Sequence, residues 1–438
     1  MTPVRLSVLA AYAAPMAPLG ALYFPVYVYL VPHYAGLGAD LALLGAFMLA
    51  ARLLDAVTDP LMGLLSDRVR TRWGRRKPWM AAAAPLLMLA AWALFLPGEG
   101  EATAVHAGLW LALLTLFWTM ALTPYLAWGA ELTPDYAERA RVTAWRESAG
   151  LLGMLAAAIL YAAGGSDSAE GLRYVFLFLV AAIPLTFLAA LTRAPEPADL
   201  SVRRVAWREG LRLAAANRAF LRLLAAWFVN GAANALPAAL FLFFVEFRLE
   251  APEAAGPLLV LYFAAAVIGA PLWTRAARRW PKHQVWRVAM LWACAVFVWA
   301  PFLGPGDVAA FAVISALSGL ALGADLALPP AMQADAVDAD TAEGGEQRTG
   351  VYFAVWSVAT KAAQAIAGGL ALSALAFAGF DATGGSTATG LVALGLLYAL
   401  APVTLKLIAI AVMWRFPLDA AAQGALRERI EAAAAQRA

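Results

Sequence analysis

The sequence predicts an all-α membrane protein with twelve membrane-spanning helices in two related six-helix bundles. Hydrophobic residues make up 63% of the 438 residues and charged residues only 14%, whereas about a quarter of residues are charged in soluble domains. Apolar stretches of about 20 residues recur along the chain, the length that a helix needs to cross a hydrocarbon core of about 30 Å. We therefore expect lipid to surround most of the protein.

The apolar stretches predict twelve spans with a longer connection after the sixth. We place them at 6–32, 40–65, 79–97, 105–132, 142–164, 172–193, 219–247, 254–274, 287–303, 307–334, 350–378 and 388–414. The predicted domains are an N-terminal bundle at 1–193, a middle connection at 194–218, a C-terminal bundle at 219–414 and a tail at 415–438. Pro195 ends the sixth span, because proline cannot continue a helix.

Basic residues sort to alternate connections, which predicts the orientation of the chain. Lys and Arg fill the connections at 68–77 and 275–282, whereas those at 33–39, 304–306 and 379–387 contain none. Short basic loops stay on the cytoplasmic side, so both termini, the middle connection and the tail are expected there. The net charge of +3 is small. The basic residues lie mainly in the connections, which argues for membrane topology over nucleic acid binding.

The two halves carry a weak internal repeat. Span two leads into DPLMGLLSDRVRTRWGRRKPW, and span eight leads into the degraded counterpart APLWTRAARRWPKHQVW. Trp73 and Trp280 occupy corresponding places in these segments. Two related helical halves with a binding site at their interface are a recurring plan of secondary transporters. The sequence therefore predicts a transporter.

The sequence offers little that would serve a catalytic centre. The single Cys294 excludes an internal disulfide and a CxxC metal site. His33, His106 and His283 are isolated at predicted membrane edges, and no GxxxxGK[ST] phosphate loop is present. We expect neither an enzyme nor a protein with a cofactor, and no bound metal beyond a coupling cation.

Ionisable side chains stand in the middle of span two. Arg52, Asp55 and Asp59 are spaced i, i+3, i+7 and share one helical face. Each charge in the membrane costs at least about 2.5 kcal/mol, so this face should point into the protein or a wet cavity. A bound cation, a shared proton or Arg52 could relieve the repulsion between the carboxylates. Alternatively, Arg52 pairs with Asp55 while Asp59 joins a network at the helix end.

Oxygen atoms near the pair favour the cation hypothesis. Thr58 brings a hydroxyl group to the same region, and Pro60 cannot donate the helical hydrogen bond to the Ala56 carbonyl. Hard cations such as Na⁺ favour oxygen ligands. The pair is therefore a predicted site for Na⁺ or H⁺.

Three segments resemble those of one transporter family. They read DAVTDPLMGLLSDRVRTRWGRRKPW, TPYLAWGAELTPDYAERARVTAWRE and LPPAMQADAVDADTAEGGEQRTGVYFAVWSVATK, and together they cover both halves. This chain is similar to the glycoside-pentoside-hexuronide cation symporters, the melibiose-permease branch of the major facilitator superfamily. The resemblance implies the major facilitator fold and a bacterial inner membrane location. It also implies that Asp55, Asp59, Thr58 and Thr119 bind the coupling cation.

The resemblance carries over only part of the substrate site. Arg146 and Lys361 match the family's basic residues, but its sugar-contacting acids correspond to Leu19 and to Leu122 or Pro124. A site built to hydrogen-bond its ligand discriminates strongly, so a galactoside substrate is not expected. We also assign aromatic side chains near the expected cavity to substrate, with helix packing as the alternative for each: Trp128, Tyr27, Tyr125 and Trp356.

Lys361 has several possible partners. It could neutralise one acid of the cation pair, attract an anionic group of the substrate, or pair with another buried acid such as Asp325. Asn230 and Asn234 form an i, i+4 polar pair, which could line the cavity or join helices by hydrogen bonds.

The connection after span two resembles the cytoplasmic loop motif of the superfamily, GxxxDRxGRR, with extra residues inserted. We assign a cytoplasmic gate to Asp67, Arg68, Arg75 and Arg76, because ion pairs that exist in one transport state can provide bistable contacts. Glu131 is a similar candidate. The acidic run from Asp335 to Glu346 is instead expected to be a solvated loop.

The leading functional hypothesis is cation-coupled symport of a small organic solute, a sugar or sugar derivative, by alternating access. One alternative is cation-coupled transport of an amphipathic solute such as a lysolipid, and another is a non-transporting membrane receptor with the same fold. The expected partners are a small-molecule substrate and the lipid bilayer, with no nucleic acid and with the monomer as the functional unit.

Overall fold

The computed structural model describes residues 4–30, 33–34, 37–98, 100, 102–164, 168–196, 212, 214–344, 348–380 and 387–435. Within this part of the chain, regular structure is helical apart from an isolated bridge between Thr71 and Gly74. Most of the predicted middle connection at 194–218 lies outside the described residues.

The first half of the chain forms a series of long helices. They are α1 (Leu6–Ala13), α2 (Met16–Val28), α3 (Leu41–Arg68), α4 (Lys77–Phe95), α5 (Ala104–Glu131), α6 (Tyr136–Ala163) and α7 (Ser168–Arg193). The first predicted span is therefore two helices rather than one. Pro15 lies at the break, where it has no amide hydrogen to continue the helical ladder.

The second half repeats this plan with short irregular turns. Its helices are α8 (Arg218–Phe243), α9 (Ala255–Ala276), α10 (Lys282–Phe297), α11 (Val308–Gly344), α12 (Thr349–Phe377), α13 (Ala388–Gly395), α14 (Ala401–Val412) and α15 (Ala420–Ala435). A π-helical turn at Phe244–Arg248 extends α8, and another at Leu396–Leu400 joins α13 to α14. The predicted tail thus contains a helix, α15.

Membrane-spanning character follows from length and apolarity. Nine helical segments of the described chain are long and apolar enough to cross a membrane. Three further helices, α3, α6 and α12, have 28, 28 and 29 residues and carry the charged residues of the predicted sites. These segments together are consistent with the twelve predicted spans and with the predicted all-α class.

Side-chain caps fix the first residues of several helices. Asp40 Oδ1 accepts from the Leu43 amide at 2.7 Å at the start of α3, and Thr103 does the same for His106 at the start of α5. Asn217 caps α8 in this way. Each cap satisfies one amide that would otherwise lack a helical partner.

Glycines allow two helix pairs to approach closely. A Cβ atom on Gly153 of α6 would lie 1.8 Å from the Ala17 carbonyl oxygen of α2. A Cβ atom on Gly319 of α11 would lie 2.3 Å from the Tyr262 carbonyl oxygen of α9. Small residues at such contacts let backbones pack directly, which is how membrane helices gain much of their association energy.

The chain divides into two compact units. One contains Met1–Leu211, Gly344–Val355 and Ile430–Ala438, and the other contains Arg212–Glu343 and Trp356–Arg429. Each has its own apolar core. The first turns of α12 group with the first unit, a division that the sequence did not predict.

Candidate functional site

A buried pair of carboxylates lies in the middle of α3, and Thr119 reaches it from α5. Asp55 and Asp59 expose only 4% and 2% of their surface. The Thr119 hydroxyl lies 2.9 Å from Asp59 Oδ1 and 3.3 Å from Asp55 Oδ1. A hydroxyl has one proton to donate, so Thr119 can fully satisfy only one of these oxygens at a time. The structure brings these three predicted residues together.

Further oxygen atoms adjoin the pair. Thr58 is buried, and its Oγ1 has no hydrogen-bond partner within the described residues. Pro60 leaves the Ala56 carbonyl without its usual helical donor. The side chain of Arg52 lies outside the described part of the structure, so its predicted pairing with Asp55 remains a prediction. Carboxylate, hydroxyl and carbonyl oxygens are suitable ligands for a hard cation.

Arg76 is the centre of a buried ion-pair network between the ends of α3 and α5. Its Nη2 lies 2.7 Å from Asp67 Oδ1 and 2.6 Å from Glu131 Oε1. Its Nη1 donates to Ser66, and Arg75 also contacts Glu131 at 3.3 Å. Burial by itself would lower the pKa of the Arg76 guanidinium, but the two acids raise it above its ordinary value. Arg76 is therefore always charged here.

Asp67 also binds the start of α12, within the same compact unit. Its carboxylate oxygens accept hydrogen bonds from the amides of Gly350 at 3.0 Å and Val351 at 3.2 Å. Amides at a helix N-terminus have no helical acceptor, and a carboxylate interacts favourably with that end of the helix dipole. Arg68, the fourth predicted gate residue, is exposed.

Glu196 ties the end of the first half to the same region. Its Oε1 accepts from the amides of Arg75 at 2.6 Å and Arg76 at 2.9 Å, just before α4 begins. The preceding carbonyl, of Pro195, accepts from the indole of Trp128 at 2.8 Å. These bonds fix the first residues of the middle connection.

Trp128 and Tyr125 of α5 have their side chains packed in the interior of the first unit. Trp128 is fully buried, and Lys77 Nζ lies 5.6 Å from its ring centroid. Tyr125 is also fully buried and donates 2.6 Å to the Tyr12 carbonyl, while the Tyr12 hydroxyl donates to the Tyr125 carbonyl. These contacts are those of packing residues, the alternative considered for both rings. Their assignment to substrate stays a prediction.

The other residues predicted to bind substrate are divided between the two units. Arg146 is buried in the first unit, where its Nε and Nη2 donate to Glu147 Oε1 at 3.0 and 2.5 Å. In the second unit, Trp356 stacks on Trp227 with ring centroids 4.8 Å apart, and Lys361 is half-buried further along α12. The side chain of Tyr27 lies outside the described residues.

Asp325 belongs to a second buried polar cluster, in the second unit. Its oxygens accept from Trp286 at 2.6 Å and from Asn234 at 2.9 Å, and Lys406 lies 3.5 Å away. Lys406 also donates to Asn230 at 2.7 Å. The possible pairing of Asp325 with Lys361 is therefore wrong, because Lys406 is the cation beside Asp325. The two asparagines join helices, as one alternative predicted.

The expectation that the acidic run forms a solvated loop is also wrong for the first residues of that run. Asp335, Asp338 and Asp340 are buried within α11, which continues to Gly344. Asp335 pairs with the fully buried Lys282 at 2.8 Å, and Asp338 accepts from Gln423 of α15. Charge density alone suggested exposure, but tertiary ion pairs stabilise these carboxylates in the interior.

A family model described as MFS/sugar transport protein matches residues 11–420 of this chain. The chain belongs to this family. It is 28% identical over 375 residues to the inner membrane symporter YicJ of Escherichia coli (strain K12), which covers 82% of this chain and 79% of that protein. It is 23% identical to the sodium-dependent lysophosphatidylcholine symporter 1-A of Danio rerio, over 85% of this chain and 78% of that protein.

A solved structure supports the fold. The E. coli fucose:proton symporter FucP (N162A) superposes with a TM-score of 0.67 at 16% identity, covering 91% of this chain and 98% of that one. The chain is thus a multi-pass membrane transporter with the major facilitator fold, as the sequence predicted.

Several contacts of this MFS/sugar transport protein were missed by sequence reasoning. Glu196, Gly350 and Lys406 contact the predicted or newly found clusters, yet each is distant in sequence from its partners. Lys406 alone carried a signal, because a lysine inside the twelfth span is as costly as the acids of the second. Pairing it with Asp325 required the packing of α14 against its neighbours.

Proposed function

We propose that this chain is a cation-coupled symporter of a small organic solute, a sugar or sugar derivative, working by alternating access. The observation that carries the proposal is the buried arrangement of Asp55 and Asp59 around the hydroxyl of Thr119. The symporter named among the relatives and the sugar transport family support it.

The cation step follows from electrostatics. Two buried carboxylates on successive turns repel each other when both are ionised. A bound Na⁺ held by their oxygens, with Thr58 and Thr119 as hydroxyl ligands, or a bound proton, removes that repulsion. Occupancy therefore favours the conformation in which the pair is close, and this links the ion gradient to the transport cycle.

The substrate step is assigned to basic and aromatic side chains. Arg146 and Lys361 supply hydrogen-bond donors, and Trp356 supplies an apolar ring face, with Tyr27, Tyr125 and Trp128 as further candidates. Leu19 is fully buried and cannot accept a hydrogen bond from a sugar hydroxyl. The substrate is therefore expected to differ from a galactoside and to carry acceptor groups that suit the basic pair.

The gate is assigned to Asp67, Arg68, Arg75 and Arg76. Support comes from the buried contacts of Arg76 with Asp67 and Glu131, and of Asp67 with the first amides of α12. In the proposed cycle these contacts form in one state and break in the other. The chain is proposed to act as a monomer in the bacterial inner membrane with both termini in the cytoplasm, and without a cofactor or nucleic acid partner.

The proposal is tested by uptake into vesicles with an imposed Na⁺ or H⁺ gradient, across a panel of sugars and sugar acids. Asp55→Asn and Asp59→Asn should each abolish gradient-driven uptake while leaving the fold intact. Asp307→Asn is a matched control, because Asp307 is an exposed aspartate in a connection, and it should transport like wild type. Retention of coupled uptake by both site variants would remove the cation assignment.

An amphipathic solute such as a lysolipid is the second candidate. It is favoured by the similarity to the Danio rerio symporter and by the leucine at position 19. Including lysolipids in the same panel separates the two substrate classes. A complete lack of uptake and counterflow with every solute would instead favour a receptor.

A further inference from the structure

Three arginines lie at the same end of three neighbouring helices of the second unit. Arg222 is near the start of α8, Arg287 is near the start of α10, and Arg415 follows the end of α14. Helix α14 contacts both α8 and α10. We call these three residues the arginine cluster.

Backbone carbonyls at the end of α14 connect the arginine cluster. Arg287 Nη1 donates to the Trp414 carbonyl at 3.0 Å, and Arg222 Nη1 donates to the Arg415 carbonyl. Arg287 also lies over the Trp414 ring, 4.7 Å from its centroid. Basic side chains commonly satisfy the last carbonyls of a helix, so helix capping explains one donor of each of these two arginines.

Most of the positive charge remains uncompensated. Within the described residues, no ion pair joins the cluster to an acid, and Arg287 Nε is buried without a hydrogen-bond partner. Asp419 is close in sequence, but its Oδ1 accepts from the Ala422 amide at the start of α15. A guanidinium has five N–H donors. The cluster therefore has several donors left for an anion.

The surroundings of the cluster suit lipid. Trp414 is 64% exposed, and tryptophan favours the boundary between headgroups and hydrocarbon. Exposed apolar side chains lie beside the cluster or further along the same helices: Leu221, Val288, Leu291 and Leu407. A ligand here would meet positive charge at the membrane surface and apolar side chains beside it.

We propose that the arginine cluster binds the phosphate of an anionic phospholipid, whose acyl chains lie along α10 and α14. Guanidinium groups match phosphate oxygens in charge and geometry, and basic pockets between membrane helices bind anionic headgroups. The positive charge of the cluster selects an anionic lipid over a zwitterionic one. This inference does not depend on the transported solute.

The test measures lipid binding to the full-length, delipidated protein by native mass spectrometry. Phosphatidylglycerol and phosphatidylcholine of equal chain length are added in separate titrations, with inorganic phosphate as a third arm. Wild type should bind phosphatidylglycerol more tightly, and phosphate at equal concentration should not displace it. The triple variant Arg222→Gln, Arg287→Gln, Arg415→Gln should bind it roughly fivefold more weakly for each arginine removed.

A matched control removes the same charge elsewhere. The variant Arg5→Gln, Arg275→Gln, Arg279→Gln changes three exposed arginines and should keep the wild-type preference. If the triple variant does not fold, Arg415→Gln alone replaces an exposed residue outside the helices and should lower the affinity about fivefold. Equal binding of both lipids by wild type, full binding by the cluster variants, or an equal loss in the control would overturn the proposal. Displacement by phosphate would indicate a soluble-anion site instead.

Discussion

The hydroxyl of Thr119 links the two buried carboxylates of α3. It is buried, lies within hydrogen-bond distance of both Asp55 and Asp59, and comes from a different helix. A neutral donor can stabilise one ionised carboxylate without itself holding a charge. It can also become a ligand when a cation enters, since its oxygen keeps two lone pairs.

Thr119→Val tests this role, because valine keeps the shape of threonine but has no hydroxyl. We expect the apparent affinity for Na⁺ to fall roughly tenfold, about 1.4 kcal/mol, because valine offers the ion no oxygen ligand. If the coupling ion is H⁺, the apparent affinity should rise instead, because the hydrogen bond that stabilises the ionised carboxylate is lost. The measurement is the Na⁺ or H⁺ concentration that gives half-maximal uptake. Thr115→Val, a buried threonine one turn earlier on α5, is the control. Equal cation dependence in all three proteins would contradict the prediction.

Glu131→Gln tests the buried ion pair of Arg76. The change removes one of the two acids that contact Arg76 and also the acid that contacts Arg75, so the two buried arginines lose a counterion. Breaking a buried pair costs about 3 to 5 kcal/mol, so the temperature of thermal unfolding should fall sharply. The control is Glu170→Gln, because Glu170 pairs with Arg173 at 3.7 Å with both side chains exposed. Surface pairs contribute at most about 1 kcal/mol. Similar unfolding temperatures for the two variants would show that Arg76 finds other compensation.

At the scale of elements, the start of α12 packs directly on α3. A Cβ atom on Gly63 would lie 2.5 Å from the Gly350 carbonyl oxygen, and one on Gly350 would lie 2.5 Å from the Gly63 carbonyl oxygen. This close approach places the first amides of α12 within reach of Asp67. The backbone contact and the capping of α12 by Asp67 therefore depend on each other. A side chain at either glycine would push α3 and α12 apart.

Gly63→Ala should consequently destabilise the protein by about 1 to 3 kcal/mol, the usual cost of inserting a methyl group into a packed contact. The change is measured as a lower thermal unfolding temperature in detergent. Gly256→Ala is the matched control in α9, where a Cβ atom would meet nothing within 4 Å. An unchanged unfolding temperature in Gly63→Ala would contradict the prediction, because it would show that α3 and α12 accommodate the methyl group without loss of stability.

At the scale of the whole molecule, the alternation of basic connections predicts the topology. The single Cys294 is buried, so Cys294→Ala gives a protein in which new cysteines can be labelled one at a time. In that background, Glu253→Cys should react with a membrane-impermeant maleimide in intact cells. Arg279→Cys should react only after the membrane is opened. The reverse pattern would invert the proposed orientation.

The sequence by itself determined the membrane class, the helical fold and the costly charges of the second span. These follow from local properties: apolar length, the price of a charge in lipid, and the period of a helix. Charge patterns also indicated Asp67 and Arg76. The prediction of the first span missed the break at Pro15. A proline within an apolar stretch does not by itself reveal whether the helix continues through it or ends.

Only the tertiary structure decided which distant residues meet. Lys406 rather than Lys361 lies beside Asp325, and Asp335 is buried against Lys282 rather than solvated. The same composition of charges permits several pairings, and helix packing selects among them. The family resemblance had grouped Thr119 with Asp55 and Asp59, and the tertiary structure added the hydrogen bonds between them. The carboxylates could be found from their cost in lipid, but their shared hydrogen-bond donor depends on how α3 and α5 pack.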